Sequence, residues 1–308
     1  MKWPILSDEE RIRLLNIPTN RPLDAVLDTD TFNEVDDQFA LSYMMLSPDR
    51  VNMQAIYAAP FYNSLSSGPE DGMVRSYGEI CRLLSFMKFK TEGFAFEGSR
   101  SYLPDKDTPV DSPAVRDLIK KAMARKDGDP LYVVAIGCIT NIASALLMEP
   151  ELVKKIVVVW LGGHAFSWKD TREFNLYQDV PASQIIFESG VPLILVPCMG
   201  VASHMIASIW ELDACIGGRN QLSDALCNTV RATRSNHVGY SRVIWDVSAA
   251  ACLVCPDKMR TALVHAPVLN NNCHYSFRND THLIRVVEEL DRNGIFADLF
   301  EKLAAYKD

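Results

Sequence analysis

Short β-branched runs alternate with segments of helical period along most of this chain, and that rhythm leaves few folds open. The runs are AVLD at 25–28, VNMQAIYAA at 51–59, LYVVAIG at 131–137, KKIVVVWLGG at 154–163 and VPLILVPC at 191–198. Between them lie QFALSYMMLS, MVRSYGEICRLLSFM, SPAVRDLIKKAMAR, CITNIASALLMEP and ASQIIFESG, each with apolar residues spaced as on one face of a helix. Strands separated by helical crossovers pair in parallel. The expected fold is therefore α/β: three layers, a mostly parallel open sheet with helices on both faces. In such sheets ligands gather beyond the carboxyl ends of the strands. The polar clusters DTDTFNEVDD, PFYN, IGCITN and GGHAF fall at those ends.

Residues 1–22 read as a polar helical arm and a loop, closed by Pro22. Residues 205–258 read as mainly helical. A strand-like TALVHAPVL follows at 261–269, and residues 279–306 read as one or two amphipathic helices. No repeat or Gly/Ser linker interrupts the 308 residues, so one domain, 1–308, is expected.

A net charge of −8, without a Lys/Arg run, argues against nucleic acid as a partner. No stretch reaches the roughly 18 apolar residues of a membrane span, so no membrane is expected, and the N-terminus lacks an apolar signal core. A cytoplasmic protein is the expectation. The eight cysteines sit mostly in apolar surroundings, as reduced core thiols do. Cys252 and Cys255 form a C-x-x-C inside AAACLVC, which reads as core.

The chemistry concentrates in DTDTFNEVDD. Asp28, Asp30, Asp36 and Asp37 place four carboxylates within ten residues, directly after a buried strand. They repel one another unless a cation lies among them, and hard oxygen ligands suit Ca²⁺ or Mg²⁺. A blander reading makes Asp36 and Asp37 the acidic start of a helix, with Asp28 and Asp30 as loop caps. A third is a haloacid-dehalogenase-like phosphohydrolase. Asp28 and Asp30 fit its D-x-D motif, but Phe32 stands where Thr or Val belongs, and the family's lysine and late acidic pair are not evident.

Four further segments occur in order: I-G-C-I-T-N at 136–141, W-L-G-G at 160–163, E-F-N at 173–175 and W-D at 245–246 before an Ala-rich helix. With the acid cluster, this series resembles the inosine-uridine preferring nucleoside hydrolase superfamily across residues 24 to about 258. The resemblance implies Ca²⁺-dependent hydrolysis of the N-glycosidic bond of nucleosides, with one Ca²⁺ per chain. It implies metal ligation by Asp30, Asp37, the Ile136 carbonyl and Asp246, with Asp30 also the general base. Asp36, Asn63, Glu173 and Asn175 would hold ribose hydroxyls, and Asp28 would orient its neighbours. A homodimer or homotetramer is implied as well.

The chain departs from the family pattern in two places. Two extra residues separate the acid pairs, which puts Phe32, Asn33 and Glu34 between them. Trp245 stands where many members carry a histidine acid. Trp245 favours purine nucleosides and leaves the leaving-group acid open, with His237 the first candidate and His164 another. It also keeps alive a non-catalytic nucleoside or sugar binder that has lost the acid.

Overall fold

The computed structural model describes residues 3–307. Among them, eight strands form one sheet in the order β3-β2-β1-β4-β5-β6-β12-β9. They are β1 (Leu23–Thr29), β2 (Val51–Ala58), β3 (Ala95–Glu97), β4 (Leu131–Ala135), β5 (Ile156–Leu161), β6 (Leu193–Val196), β9 (Met259–His265) and β12 (Leu283–Leu290). Each neighbouring pair is parallel except β12 with β9. Two short ribbons lie apart: β7 (Ile206–Ala207) with β8 (Arg242–Val243), and β10 (Val268–Leu269) with β11 (Tyr275–Ser276). The fold is the expected mostly parallel α/β sheet.

The five apolar runs became β1, β2, β4, β5 and β6. Every side chain of β4 and β5 is buried, as strands covered on both faces require. Helices α2 (Asp37–Met45), α10 (Val247–Val254) and α11 (Arg292–Ala305) pack on one another. So do α4 (Pro113–Met123), α5 (Thr140–Met148) and α7 (Val180–Glu188). The N-terminal arm holds α1 (Asp8–Leu15), where Ser7 and Glu10 close a capping box. Ser112 caps α4 by accepting the Val115 N–H, with Pro113 next in line. Helix α3 (Pro69–Phe86) starts four residues earlier than its apolar pattern, at a proline.

Buried apolar side chains from Leu6 to Leu303 form one continuous cluster. None of the eight cysteines is in a disulfide. No helix among the described residues is long and apolar enough to cross a membrane.

Two segments differ from expectation. Residues 279–306 are not all helical: LIRVVEEL is β12, an interior strand between β6 and β9. Its Ile284, Val286 and Val287 are β-branched and buried, and pairing on both sides outweighs the helical preference of its glutamates. The 205–258 region contains α8 (Ile209–Cys215), α9 (Gln221–Ala232) and α10, but α9 stops at Thr233 and a mostly exposed loop leads to β8. His237 lies in that loop, not on a helix.

Candidate active site

The carboxyl ends of β1, β4, β5 and β6 open on a cavity of about 270 Å³. Asp30, Asp36, Asp37 and Asp246 line it, with the Ile136 end of β4, Glu173, Asn175 and Trp245. The parallel register explains how distant residues meet. Asp28 pairs with Ala135 across β1 and β4, so the loops that follow, 30–37 and 136–139, leave the sheet side by side. The Ile136 N–H donates to the Asp28 carbonyl at 2.9 Å. Gly137 allows the close approach, because a Cβ there would lie 3.1 Å from Asp30 Cγ and from Ala59 Cβ.

Asp37 opens α2 and Asp246 caps α10, so both sit at positive helix ends. Oxygens of Asp36, Asp37 and Asp246 lie within 4.8 Å of one another. At that spacing two ionised carboxylates repel by roughly 3–4 kcal/mol at an effective dielectric near 20. Asp30, Asp36, Asp37 and Asp246 are all buried, and none is in an ion pair among the described residues; Arg242, paired with Glu34, offsets only part of the charge on Asp36. Both oxygens of Asp30 and Oδ1 of Asp36 are buried without a hydrogen-bond partner. Burial first, then the neighbouring carboxylates, pushes Asp30, Asp36 and Asp246 well above the ordinary aspartate value. Asp37 rises only to about 6, because hydrogen bonds counter its burial, chiefly the Thr29 hydroxyl at 2.5 Å.

Converging buried oxygens without donors are what a divalent ion requires, so the donor set fits one. The tightest group includes Asp36, which the family resemblance assigns to the sugar alone. Asp30 lines the same cavity within electrostatic reach of Asp36 and Asp37. Asp28 stands behind them. Its Oδ2 accepts from Asn141 Nδ2 at 2.8 Å, and burial raises it to about 7.

Glu173 caps the short helix α6 (Phe174–Tyr177) and accepts from the N–H groups of Gly163, Asn175 and Leu176 at 2.9–3.1 Å. Burial outweighs those bonds and raises it to about 7. Asn175 Nδ2 donates to the carbonyls of Ile136 and Leu161, both at 3.1 Å. The Ile136 carbonyl thus keeps one lone pair for another partner.

Two expected residues are elsewhere. Asn63 does not line the cavity. Its Nδ2 donates to Asn33 Oδ1 at 2.5 Å and its Oδ1 accepts from the Leu65 N–H at 2.8 Å. The extra loop residues have put Asn33 between Asn63 and the site, and Asn33 lines the cavity in its place. His237 also lies outside, with Nε2 3.1 Å from the Arg231 carbonyl. The 233–241 loop carries it away from the strand ends. Glu34 lines the cavity and pairs with Arg242 at 2.6 Å.

Further residues complete the lining. Arg172 precedes the E-F-N string, whose Phe174 also lines the cavity with His164 of GGHAF, and Cys198 and Met199 follow β6. Position just past a strand end was the available signal for the last two.

A model of the inosine-uridine preferring nucleoside hydrolase family matches residues 71–297. The chain belongs to that family. The match takes in Ile136, Glu173, Asn175 and Asp246 and begins after the acidic loop. The pyrimidine-specific ribonucleoside hydrolase RihB of Escherichia coli (strain K12 / DH10B) is 27% identical over 162 residues, which are 50% of this chain and 51% of that relative. The chain thus spans about half the length of such curated relatives. Solved structures agree in fold along nearly the whole chain. A purine-preferring ribonucleoside hydrolase from Gardnerella vaginalis superposes with a TM-score of 0.68 at 22% identity, covering 91% of this chain and 98% of that one. An inosine-guanosine nucleoside hydrolase gives 0.72 at 17% identity, covering 92% and 99%. Family membership removes the phosphohydrolase reading of Asp28 and Asp30.

Proposed function

We propose that this protein hydrolyses the N-glycosidic bond of nucleosides, purine nucleosides preferred, to free base and ribose with one bound Ca²⁺. The observation that carries the reading is the set of buried carboxylates Asp30, Asp36, Asp37 and Asp246, with the oxygens of Asp30 and one of Asp36 unpartnered, lining one cavity with Trp245. Asp30, Asp37, Asp246 and the Ile136 carbonyl would hold the ion, with Asp36 close enough to share it. A bound divalent cation offsets the carboxylate charge and lowers the pKa of a coordinated water.

Asp30 takes the proton from the attacking water. Asp36, Glu173 and Asn175 hold the sugar hydroxyls and stabilise the oxocarbenium-like transition state. The half-buried Trp245 offers an indole face to the base, which suits a purine. Among relatives with stated preferences, one is pyrimidine-specific and another purine-preferring, so Trp245 alone supports the choice. We also take the chain as one domain, cytoplasmic and homo-oligomeric.

Release of reducing sugar from inosine, adenosine and uridine, with Ca²⁺ and then with chelator, tests the reading. Inosine cleavage should need Ca²⁺, and Asp30→Asn should abolish it while ribose still binds. The binder reading keeps its support from the missing histidine at Trp245 and from His237 lying outside the cavity. Binding without cleavage across the whole panel establishes it instead.

A further inference from the structure

The bond to be broken places a demand on the cavity that its carboxylates cannot meet. Water's oxygen bonds to the anomeric carbon, Asp30 takes water's proton, and the C–N electron pair departs on the base. Negative charge therefore grows on the base inside a cavity lined by six acids: Asp30, Glu34, Asp36, Asp37, Glu173 and Asp246. Among the described lining residues, the basic side chains are His164 and Arg172. Both come from the loop between β5 and α6.

That loop is held in shape. Gly163 has φ of +67°, and a Cβ there would collide with Thr171 Oγ1 and the Tyr275 hydroxyl at 2.4 Å. The His164 N–H donates to Thr171 Oγ1 at 3.0 Å, and the Thr171 N–H to the Cys273 carbonyl at 2.9 Å. The Ala165 N–H donates to the Met199 carbonyl at 2.9 Å. The Met199 N–H donates to His164 Nδ1 at 3.3 Å, an arrangement that suits the tautomer with its proton on Nε2. The His164 ring also lies edge-on to Trp168, with centroids 6.3 Å apart, and it lines the cavity. Arg172 lies over the Tyr177 ring at 4.8 Å and forms no ion pair among the described residues.

We propose that His164 and Arg172 receive the leaving base, the imidazole Nε2–H and the guanidinium donating to its ring nitrogen and carbonyl oxygen. This assignment rests on the nucleoside-hydrolase reading above. The base leaves as a hydrogen-bonded anion and takes its proton from solvent. Pre-positioned donors stabilise charge that exists only in the transition state, so they act on turnover more than on binding. Arginine pairs well with an oxygen beside a ring nitrogen, as on a 6-oxopurine. The favoured substrates are therefore nucleosides whose base carries a carbonyl, inosine ahead of adenosine.

The test compares inosine with 4-nitrophenyl β-D-ribofuranoside, whose nitrophenolate departs without help. Arg172→Met and His164→Phe should each lower kcat on inosine by about 10²-fold and leave the aryl riboside within about threefold. Arg172→Met should also narrow the preference for inosine over adenosine. Equal losses on both substrates would mean a sugar-binding or structural role and overturn the proposal, as would an unchanged inosine rate. Arg172 is exposed, so Arg172→Met decides the matter alone if His164→Phe does not fold. A wild-type protein that cleaves neither substrate fails the parent reading, an outcome distinct from any variant result.

Discussion

The two walls of the cavity are built in opposite ways. The carboxylate wall is buried, comes from strand ends and helix starts, and is braced from behind by Asp28, Thr29 and Asn141. The rest of the lining is made of loops: Arg172 is exposed, His164 and Trp245 are half-buried, and Glu34 is tied across to Arg242. A site for a divalent ion needs oxygens fixed to within a few tenths of an ångström, which rigid strand ends and helix starts supply. A site for a base tolerates a range of shapes, so it can be carried by loops that change without harming the fold.

The largest effects should come from the carboxylate wall. Asp246→Ala should weaken Ca²⁺ binding more than 100-fold by calorimetry and remove nucleoside cleavage. Asn141→Ala, which removes the donor to Asp28 along with contacts to Ser99 and the Ala58 carbonyl, should cost Ca²⁺ affinity about 10- to 100-fold. If Asn141→Ala is neutral, the bracing carries no energy and the contrast between the walls loses its basis.

A pH series sharpens the same point. Asp28 is raised to about 7, Asp37 to about 6, and Asp30, Asp36 and Asp246 are raised well above the ordinary aspartate value, burial first and neighbouring carboxylates next. A carboxyl with a raised native pKa makes the folded state bind more protons than the unfolded one. Its stabilising contribution is complete below the unfolded value near 4 and is lost as pH rises through the native value. The melting temperature of chelated protein should therefore fall from about pH 4 to pH 7 and beyond. Added Ca²⁺ should restore it, most at the alkaline end. A flat profile with chelator present would count against buried, cation-free carboxylates.

On the loop wall, Trp245→Ala should cost inosine turnover about tenfold, the worth of one aromatic stacking contact. Glu34→Gln breaks an ion pair whose side chains are 40% and 26% exposed. It should change stability by less than about 1 kcal/mol in denaturant titration. His237→Ala should leave inosine cleavage unchanged, and a marked loss would show that the 233–241 loop closes over the base.

What could be read ahead of the structure follows the same division. Asp30, Asp36 and Asp37 stood out because clustered acids after a buried strand repel one another unless a cation lies among them, and all three line the cavity. Glu173 and Asn175 were readable from the string E-F-N, and Asp246 from W-D before an apolar helix. Asn63 was misplaced because the extra residues send Asn33 into the cavity, and spacing alone does not show where a longer loop goes. His237 was misplaced because α9 ends at Thr233, without the glycine or proline that usually marks a stop. Arg172 carried no mark beyond standing next to Glu173. Strand β3 is three residues, too short for any period, and β12 hid behind the E-E-L at its end.

The place of β12 bears on how the chain is made. Residues 193–196 and 259–265 cannot join into one sheet until residues 283–290 slide between them. While the chain is being synthesised, β6 presents an open edge for some ninety residues of further growth, and pairings of such long sequence separation form slowly. An open apolar edge is also where nascent chains capture one another. A chain stopped before residue 283 should be recovered in aggregates rather than as a smaller folded protein, even though every carboxylate of the cavity has already been made.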